Sequence, residues 1–282
     1  MAEYYVGIDI GGMTIKGIVL DGEGKALVED VAVTGSENGG DFMCDIIGEL
    51  VFSMLKKCGG TKEEAYVGVG CPGVIDSEHG VLVFSGNLNL RDYPLAKKIE
   101  DRIGIPVKVT NDANAAALGE AKFGAGKNYK SSILVTLGTG VGGGIIIDGK
   151  LFEGYKSAGA EIGHMVIERH GDVCTCGRRG CFEAYCSATA LVRRTRRQME
   201  DNPRSAMWTK YTSDTANGKT AFDFYHTDID AKEVVDWYTK YLACGLANLA
   251  NIFRPEVIML GGGVSEQGDN LIVPVQTYVD KE

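Results

Sequence analysis

No uninterrupted apolar run in this chain approaches the roughly 18 residues of a membrane-spanning helix, and residues 1–10 lack the apolar core of a secretory leader. A spanning helix is therefore excluded, and a cytoplasmic location is expected. Proline is scarce at 6 residues, and Lys and Arg (29) are outnumbered by Asp and Glu (38), leaving a formal net charge of −9. An acidic chain repels a phosphate backbone, which disfavours a nucleic-acid partner. The one basic run, Arg193-Arg194-Thr195-Arg196-Arg197, follows a helical apolar–polar pattern and reads as a solvated helix face. Cysteine is not scarce. Eight in a cytoplasmic chain are expected to be thiols or metal ligands rather than disulfides.

What is abundant is glycine, 39 of 282 residues against a usual share of about 7%. Glycine in excess without a collagen period marks tight turns, or backbone that closely approaches a ligand. The opening reads as a β-meander: strands over Tyr4–Ile10, Met13–Leu20 and Ala26–Val33, with turns at Gly11-Gly12 and Asp21–Gly24. Apolar residues at helical spacing predict a helix over Asp41–Cys58. Short strands follow at Ala65–Gly70 and Pro106–Thr110, the second feeding Asn111-Asp112 and an alanine-rich helix from Ala113 to about Lys122. A second opening comes next, with strands at Ser132–Leu137 and Gly142–Ile147 and a turn at Asp148-Gly149. Near the end, Val234–Phe253 reads as a helix and Val257–Leu260 as a strand running into Gly261-Gly262-Gly263.

Gly17–Gly22 and Gly144–Gly149 each run from a glycine through an apolar strand to Asp-Gly, 127 positions apart. That weak repeat is too long for a solenoid and predicts two α/β domains on one strand–turn–strand plan. They are expected at residues 1–115 and 116–282, the second being the larger.

Three glycine-bearing motifs could carry phosphate chemistry. Asp9-Ile10-Gly11-Gly12-Met13-Thr14 joins two strands. There bare amides can face a phosphate, and the carboxylate beside them can hold magnesium. An ordinary hairpin turn has the same composition. No Gly-Lys-Ser/Thr follows, so this is not a Walker loop. Gly138-Thr139-Gly140-Val141-Gly142-Gly143-Gly144 has five glycines in seven positions, costly in a strand pair unless a ligand approaches. Its formal match to the dinucleotide fingerprint is discounted, because no helix follows. Asn111-Asp112 lies where a strand gives way to a helix, the usual place for ligands in α/β sheets and equally for a helix N-cap.

The set His164, Cys174, Cys176 and Cys181 has the composition of a structural Cys₃His zinc site. Four protein ligands leave no open coordination position, so such a metal would hold structure rather than generate hydroxide. The other five cysteines read as plain buried residues. Glu161 and Glu183 flank the loop and could accept hydrogen bonds from sugar hydroxyls.

Together these motifs resemble the ROK family of bacterial sugar kinases and repressors (repressor, open reading frame, kinase), within the actin-like ATPase superfamily. The resemblance rests on Asp9–Thr14, Leu137–Gly144, Glu161–His164 followed by Cys174–Glu183, and Val257–Gly263. It implies a two-domain, ribonuclease H-like α/β fold with an interdomain cleft and a small zinc-binding loop. It implies ATP with magnesium and structural zinc as cofactors, a hexose substrate, and a homodimer. Carried onto this chain, Asp112 matches the catalytic base, and Asn87, Asn111, Glu161, His164 and Glu183 match ligands of the sugar. His164 would bind zinc through its other ring nitrogen. Asp9, Gly11, Gly12, Met13 and Thr14 match the first phosphate motif, and Gly138, Thr139, Gly140 and Gly142 the second. Gly261, Gly262 and Gly263 match the adenosine motif.

Two departures stand out. Members usually have threonine directly after the first glycine pair, whereas here Met13 intervenes before Thr14. Members also continue past the adenosine motif with a strand and a glycine-containing helix, whereas this sequence stops at Glu282. The final strand and helix are therefore expected to be missing. Glucose at its 6-hydroxyl is the first expectation for the substrate, with N-acetylmannosamine, fructose or mannose as alternatives. A sugar-responsive repressor would carry a helix-turn-helix ahead of the first motif, where only eight residues precede Asp9. An actin-like assembly protein would have no use for Glu161 and Glu183.

Overall fold

The computed structural model describes residues 3–281, so Glu282, the chain end noted above, lies outside them. The chain divides into two compact units, Met1–Lys127 with Leu151–Ala160, and Asn128–Lys150 with Glu161–Glu282.

The first unit opens with β1 (Tyr4–Ile10), β2 (Thr14–Leu20) and β3 (Ala26–Val33), an antiparallel meander. Strand alternation buries Val6, Ile8 and Ile10. Against them packs α1 (Gly40–Cys58), whose Met43, Ile47, Leu50, Val51 and Met54 recur at helical spacing and are buried. After it come β4 (Ala65–Cys71) and a small antiparallel sheet of β5 (Val74–Asp76), β6 (Val81–Ser85) and β7 (Leu90–Tyr93). Then α2 (Leu95–Ile103) buries Leu95, Ala96, Ile99 and Ile103 on one stripe, and β8 (Val107–Asn111) leads into α3 (Asp112–Phe123). The main sheet has the order β3-β2-β1-β4-β8, with β1, β4 and β8 parallel.

The second unit is built on β9 (Ser132–Leu137) and β10 (Val141–Ile147), followed by β11 (Lys150–Phe152), within which the chain passes into the Leu151–Ala160 segment of the first unit. After the loop region come α4 (Phe182–Cys186), α5 (Ala188–Asp201), α6 (Thr220–Asp223) and α7 (Ile229–Phe253). The described chain closes with β12 (Val257–Gly261) and α8 (Asp269–Val279). The sheet order is β11-β10-β9-β12, with β12 parallel to β9. Both sheets thus start as a meander and place a later parallel strand beside the first. The two Asp-Gly turns occupy the same place in each, between the second and third strands. Within the second unit, Asp228 caps α7 by accepting from the amides of Asp230 and Ala231. Tyr238, wholly buried, donates its hydroxyl to the Cys186 carbonyl at 2.7 Å.

Of the cysteines outside the metal set, Cys44, Cys71 and Cys186 are buried as expected. Cys58 and Cys244 are partly exposed. Among the described residues no helix is long and apolar enough to cross a membrane.

Candidate active site

In the first unit the carboxyl ends of three parallel strands fall on one sheet edge. Asp9 pairs in register with Gly70, and Cys71 with Asn111. This is where ligands sit in α/β sheets. Asn111 is the N-cap of α3, its side-chain oxygen accepting from the amides of Ala113 (2.9 Å) and Asn114 (3.3 Å). Its amide group also donates to the Gly73 carbonyl at 3.1 Å, leaving one N–H for another partner. With the cap supplied by Asn111, the Asp112 carboxylate stands exposed in the first helical turn, one oxygen accepting from the Ala113 amide. Asp9 feels both neighbours. Desolvation at the strand end raises its carboxyl above the ordinary range, and the Asp112 charge raises it further against the opposing pull of Lys16. Two repelling carboxylates on one edge suit a divalent cation.

The first hairpin is strapped from a distance. The Gly11 amide donates to the Thr14 carbonyl at 2.9 Å, and wholly buried Thr34 donates its amide to the Met13 carbonyl and its hydroxyl to the Gly11 carbonyl. Met13 itself projects outward, 82% exposed. Its side chain therefore serves no packing role, and the turn depends on Thr34, a residue that sequence reasoning missed. Asn87 is exposed in the turn between β6 and β7, beside buried Leu88.

In the second unit the glycine-rich hairpin Gly138–Gly140 follows β9, and Gly261–Gly263 ends the neighbouring parallel β12, with Gly261 opposite Thr136. The two motifs are in contact. Gly262 has φ of 82°, and a side-chain carbon there would lie 2.6 Å from the Leu137 carbonyl oxygen. From the far side α5 grips the hairpin: the Ala188 amide donates to the Gly138 carbonyl at 2.7 Å, and the Thr189 hydroxyl to that of Thr139 at 2.8 Å. Glu183 braces the same hairpin, one carboxylate oxygen accepting from the Val141 amide at 3.1 Å and the other from the Thr175 hydroxyl at 2.9 Å. A side-chain carbon at Gly140 would come 2.4 Å from that carboxylate, so glycine is what admits the brace. Thr175, an exposed loop residue, gave no sequence signal for this contact.

The four expected metal ligands converge. The nearest donor atoms of His164, Cys174, Cys176 and Cys181 all lie within 4.8 Å of one another. Cys174 Sγ is 3.7 Å from His164 Nδ1, and Cys176 Sγ is 3.7 Å from Cys181 Sγ. Tetrahedral zinc with its usual bond lengths needs edges of about 3.5 Å for nitrogen–sulfur and about 3.8 Å for sulfur–sulfur. The donor set therefore fits zinc in type, and these two edges fit it in spacing. A short hairpin shapes it, with the Cys174 amide bonded to the Arg178 carbonyl at 2.8 Å and bridges at Val166–Cys181 and Val173–Arg179. Burial pushes the Cys181 thiol up to about 12, whereas the Arg178 amide lowers that of Cys176. A bound cation would overcome the first cost. His164 turns Nδ1 toward Cys174, which leaves Nε2 available, and Glu161 begins the 3₁₀ turn Ile162–His164 that carries it.

Two hairpin-bearing mixed sheets of one plan, with glycine motifs at the carboxyl ends of parallel strands, define the actin-like ATPase class. The ROK family model matches residues 5–281, and the chain belongs to that family. A glucokinase of Halalkalibacterium halodurans is 38% identical over 283 residues, which span 98% of this chain and 85% of that protein. A crystal structure of a ROK family glucokinase from Streptomyces griseus, in complex with glucose and AMPPNP, is similar with a TM-score of 0.83. It is 34% identical, and the match covers 99% of this chain and 89% of that one. A xylose repressor of Bacillus spizizenii is 32% identical over 282 residues, 99% of this chain and 69% of the repressor.

Proposed function

We propose that this chain is an ATP-dependent hexose kinase that phosphorylates glucose at the 6-hydroxyl, with Asp112 as general base. The observation carrying this reading is the division of labour at the start of α3, where Asn111 supplies the cap and leaves the Asp112 carboxylate for chemistry. A sugar hydroxyl is a poor nucleophile, and phosphoryl transfer needs positioning and charge neutralisation more than covalent help. Asp112 orients the hydroxyl and takes its proton as the bond to phosphorus forms. Asn87, the remaining N–H of Asn111, Glu161, Nε2 of His164 and Glu183 bind the other hydroxyls. Glu183 keeps lone pairs for this beyond those spent on Val141 and Thr175.

The amides of Gly11, Gly12, Met13 and Thr14 hold the transferred phosphate, while Gly138, Thr139, Gly140 and Gly142 hold the others. Gly261, Gly262 and Gly263 admit the adenosine. Asp9 would hold magnesium, which when bound would neutralise charge on the phosphates. His164, Cys174, Cys176 and Cys181 would hold zinc, which would stiffen the loop that carries His164. We place the protein in the cytoplasm, where ATP is available, as a homodimer. Sedimentation equilibrium checks the latter, a monomer at micromolar concentration ruling it out.

A sugar-responsive repressor is the second reading, favoured by the likeness to the xylose repressor. It ranks below the kinase because the glucokinase match is more identical and spans more of the relative. A coupled ADP-release assay across glucose, mannose, fructose and N-acetylmannosamine decides. The expected outcome is the highest kcat/KM with glucose, and absence of ADP release with every hexose would overturn the reading.

A further inference from the structure

Four arginines within five residues of α5 are out of keeping with a chain of net charge −9. The sequence pattern makes them a solvated face, but three of them, Arg193, Arg194 and Arg196, reach protein groups. In the second unit, a cavity of about 530 Å³ has Arg193, Arg194 and Arg197 on one side and Tyr185, Trp237 and Tyr241 on the other. That size falls within the usual range of small-molecule sites, about 300–1,000 Å³.

The aromatic wall is ordered. Tyr185 and Tyr241 stack with ring centroids 4.2 Å apart, and Trp237 meets Tyr241 edge-on at 5.3 Å. The Arg194 guanidinium lies 5.9 Å over the Trp237 ring, and its Nε is buried without a hydrogen-bond partner. Arg193 is partly committed, to Asp172 and to the Ala184 carbonyl, both at 2.8 Å. Arg197 is not, since its side chain is 77% exposed and its ion pair with Asp201 is stretched to 3.9 Å. The carboxylates near the cavity are Asp172, Asp201 and Glu168, the last close enough to act on Tyr185 and Tyr241. Three guanidiniums against three carboxylates leave no net charge, so an anion is favoured only where the guanidinium donors, rather than the carboxylates, face it.

We infer that this cavity binds a small organic phosphate, with the phosphate on Arg194 and Arg197 and its ring laid against Trp237 and Tyr241. Guanidinium forks match phosphate oxygens two at a time, and an aromatic face takes either the C–H face of a sugar or a flat base. A hexose phosphate and a nucleoside monophosphate share that chemistry. The inference concerns binding alone and does not depend on the kinase reading.

The test is calorimetric titration of the full chain with glucose 6-phosphate, AMP and inorganic phosphate, run with glucose and AMPPNP present so that other sites are filled. Fluorescence gives a second readout, because the chain has two tryptophans and Trp208→Phe leaves Trp237 as sole reporter. Saturable binding of glucose 6-phosphate, AMP or both is expected, with a change in Trp237 emission. The stronger of the two identifies the source. Arg197→Gln, at an exposed position, should weaken that binding about ten- to a hundredfold, the worth of charge-assisted hydrogen bonds. Trp237→Leu should weaken the organic phosphates while leaving inorganic phosphate unchanged. The proposal fails if neither organic phosphate binds at millimolar concentration, if inorganic phosphate alone does, or if binding survives both substitutions unchanged.

Discussion

Asn111 and Asp112 divide two tasks that either side chain could perform, and the division is measurable. Asn111→Ala removes the acceptor for two helix amides and should cost about 1 kcal/mol of stability in thermal denaturation. Asp112→Ala keeps that cap and relieves the repulsion on Asp9, so it should leave the unfolding temperature unchanged or slightly raised. The pair was legible in the sequence as a strand–helix junction. Which member caps was not, because Asn and Asp are equally good N-caps. Thr34 was illegible for another reason: it straps Gly11 across 23 residues, a separation over which no local pattern exists.

Asp9 gives a pH-dependent counterpart. Its carboxyl is raised by desolvation and by Asp112, so the folded chain holds that proton more tightly than the unfolded chain does. Stability is therefore lost as pH rises from the ordinary carboxylate range through the raised value. Asp9→Asn should raise the neutral-pH unfolding temperature of the metal-free protein, and the gain should vanish at pH values below the ordinary range. Affinity for magnesium–ATP should fall in the same variant. A destabilised Asp9→Asn protein at neutral pH would contradict the repulsion.

At the scale of elements, the loop of the Cys₃His set is held by backbone bonds such as Cys174–Arg178 and Gly180–Asp172 and by side-chain bonds at Thr175, Arg178 and Arg179, and the proposed zinc would add to these. Elemental analysis should find close to one zinc per chain, and Cys176→Ser should lose most of it. Chelation should lower the unfolding temperature and sugar affinity together, because His164 lies in the same loop. Unchanged stability and affinity in metal-free protein would refute the metal's role. Contact between the two glycine motifs has its own test. Gly262→Ala forces alanine into a positive-φ, extended conformation open essentially to glycine and a carbon against the Leu137 carbonyl, so denaturant unfolding should show a loss of about 1–3 kcal/mol.

The long strands and α1 were legible because seven or more residues of strict period carry the signal. The sheet of β5, β6 and β7 was not, since strands of 3, 5 and 4 residues offer too few alternations. In α5 the helical period was visible but its environment was not. The aromatic residues that meet its arginines come mainly from α7, more than 35 positions on.

At the scale of the whole chain, one plan is used twice, and the Asp-Gly repeat betrayed it at a spacing of 127 residues. Each sheet presents its glycine motifs and polar groups at the carboxyl ends of parallel strands. The likenesses to a glucokinase and to a xylose repressor frame two readings, with and without phosphoryl transfer, and the proposed base Asp112 is where they part. A repressor needs the sugar ligands, but only a kinase needs a base. The deciding measurement is the turnover of Asp112→Asn with glucose and magnesium–ATP, beside its glucose affinity by calorimetry. Asparagine keeps the shape and can still pair with the hydroxyl but cannot take its proton, so kcat should fall about 10²–10⁴-fold while glucose affinity changes far less. A variant that keeps a tenth or more of the parent turnover would show that Asp112 is not the base.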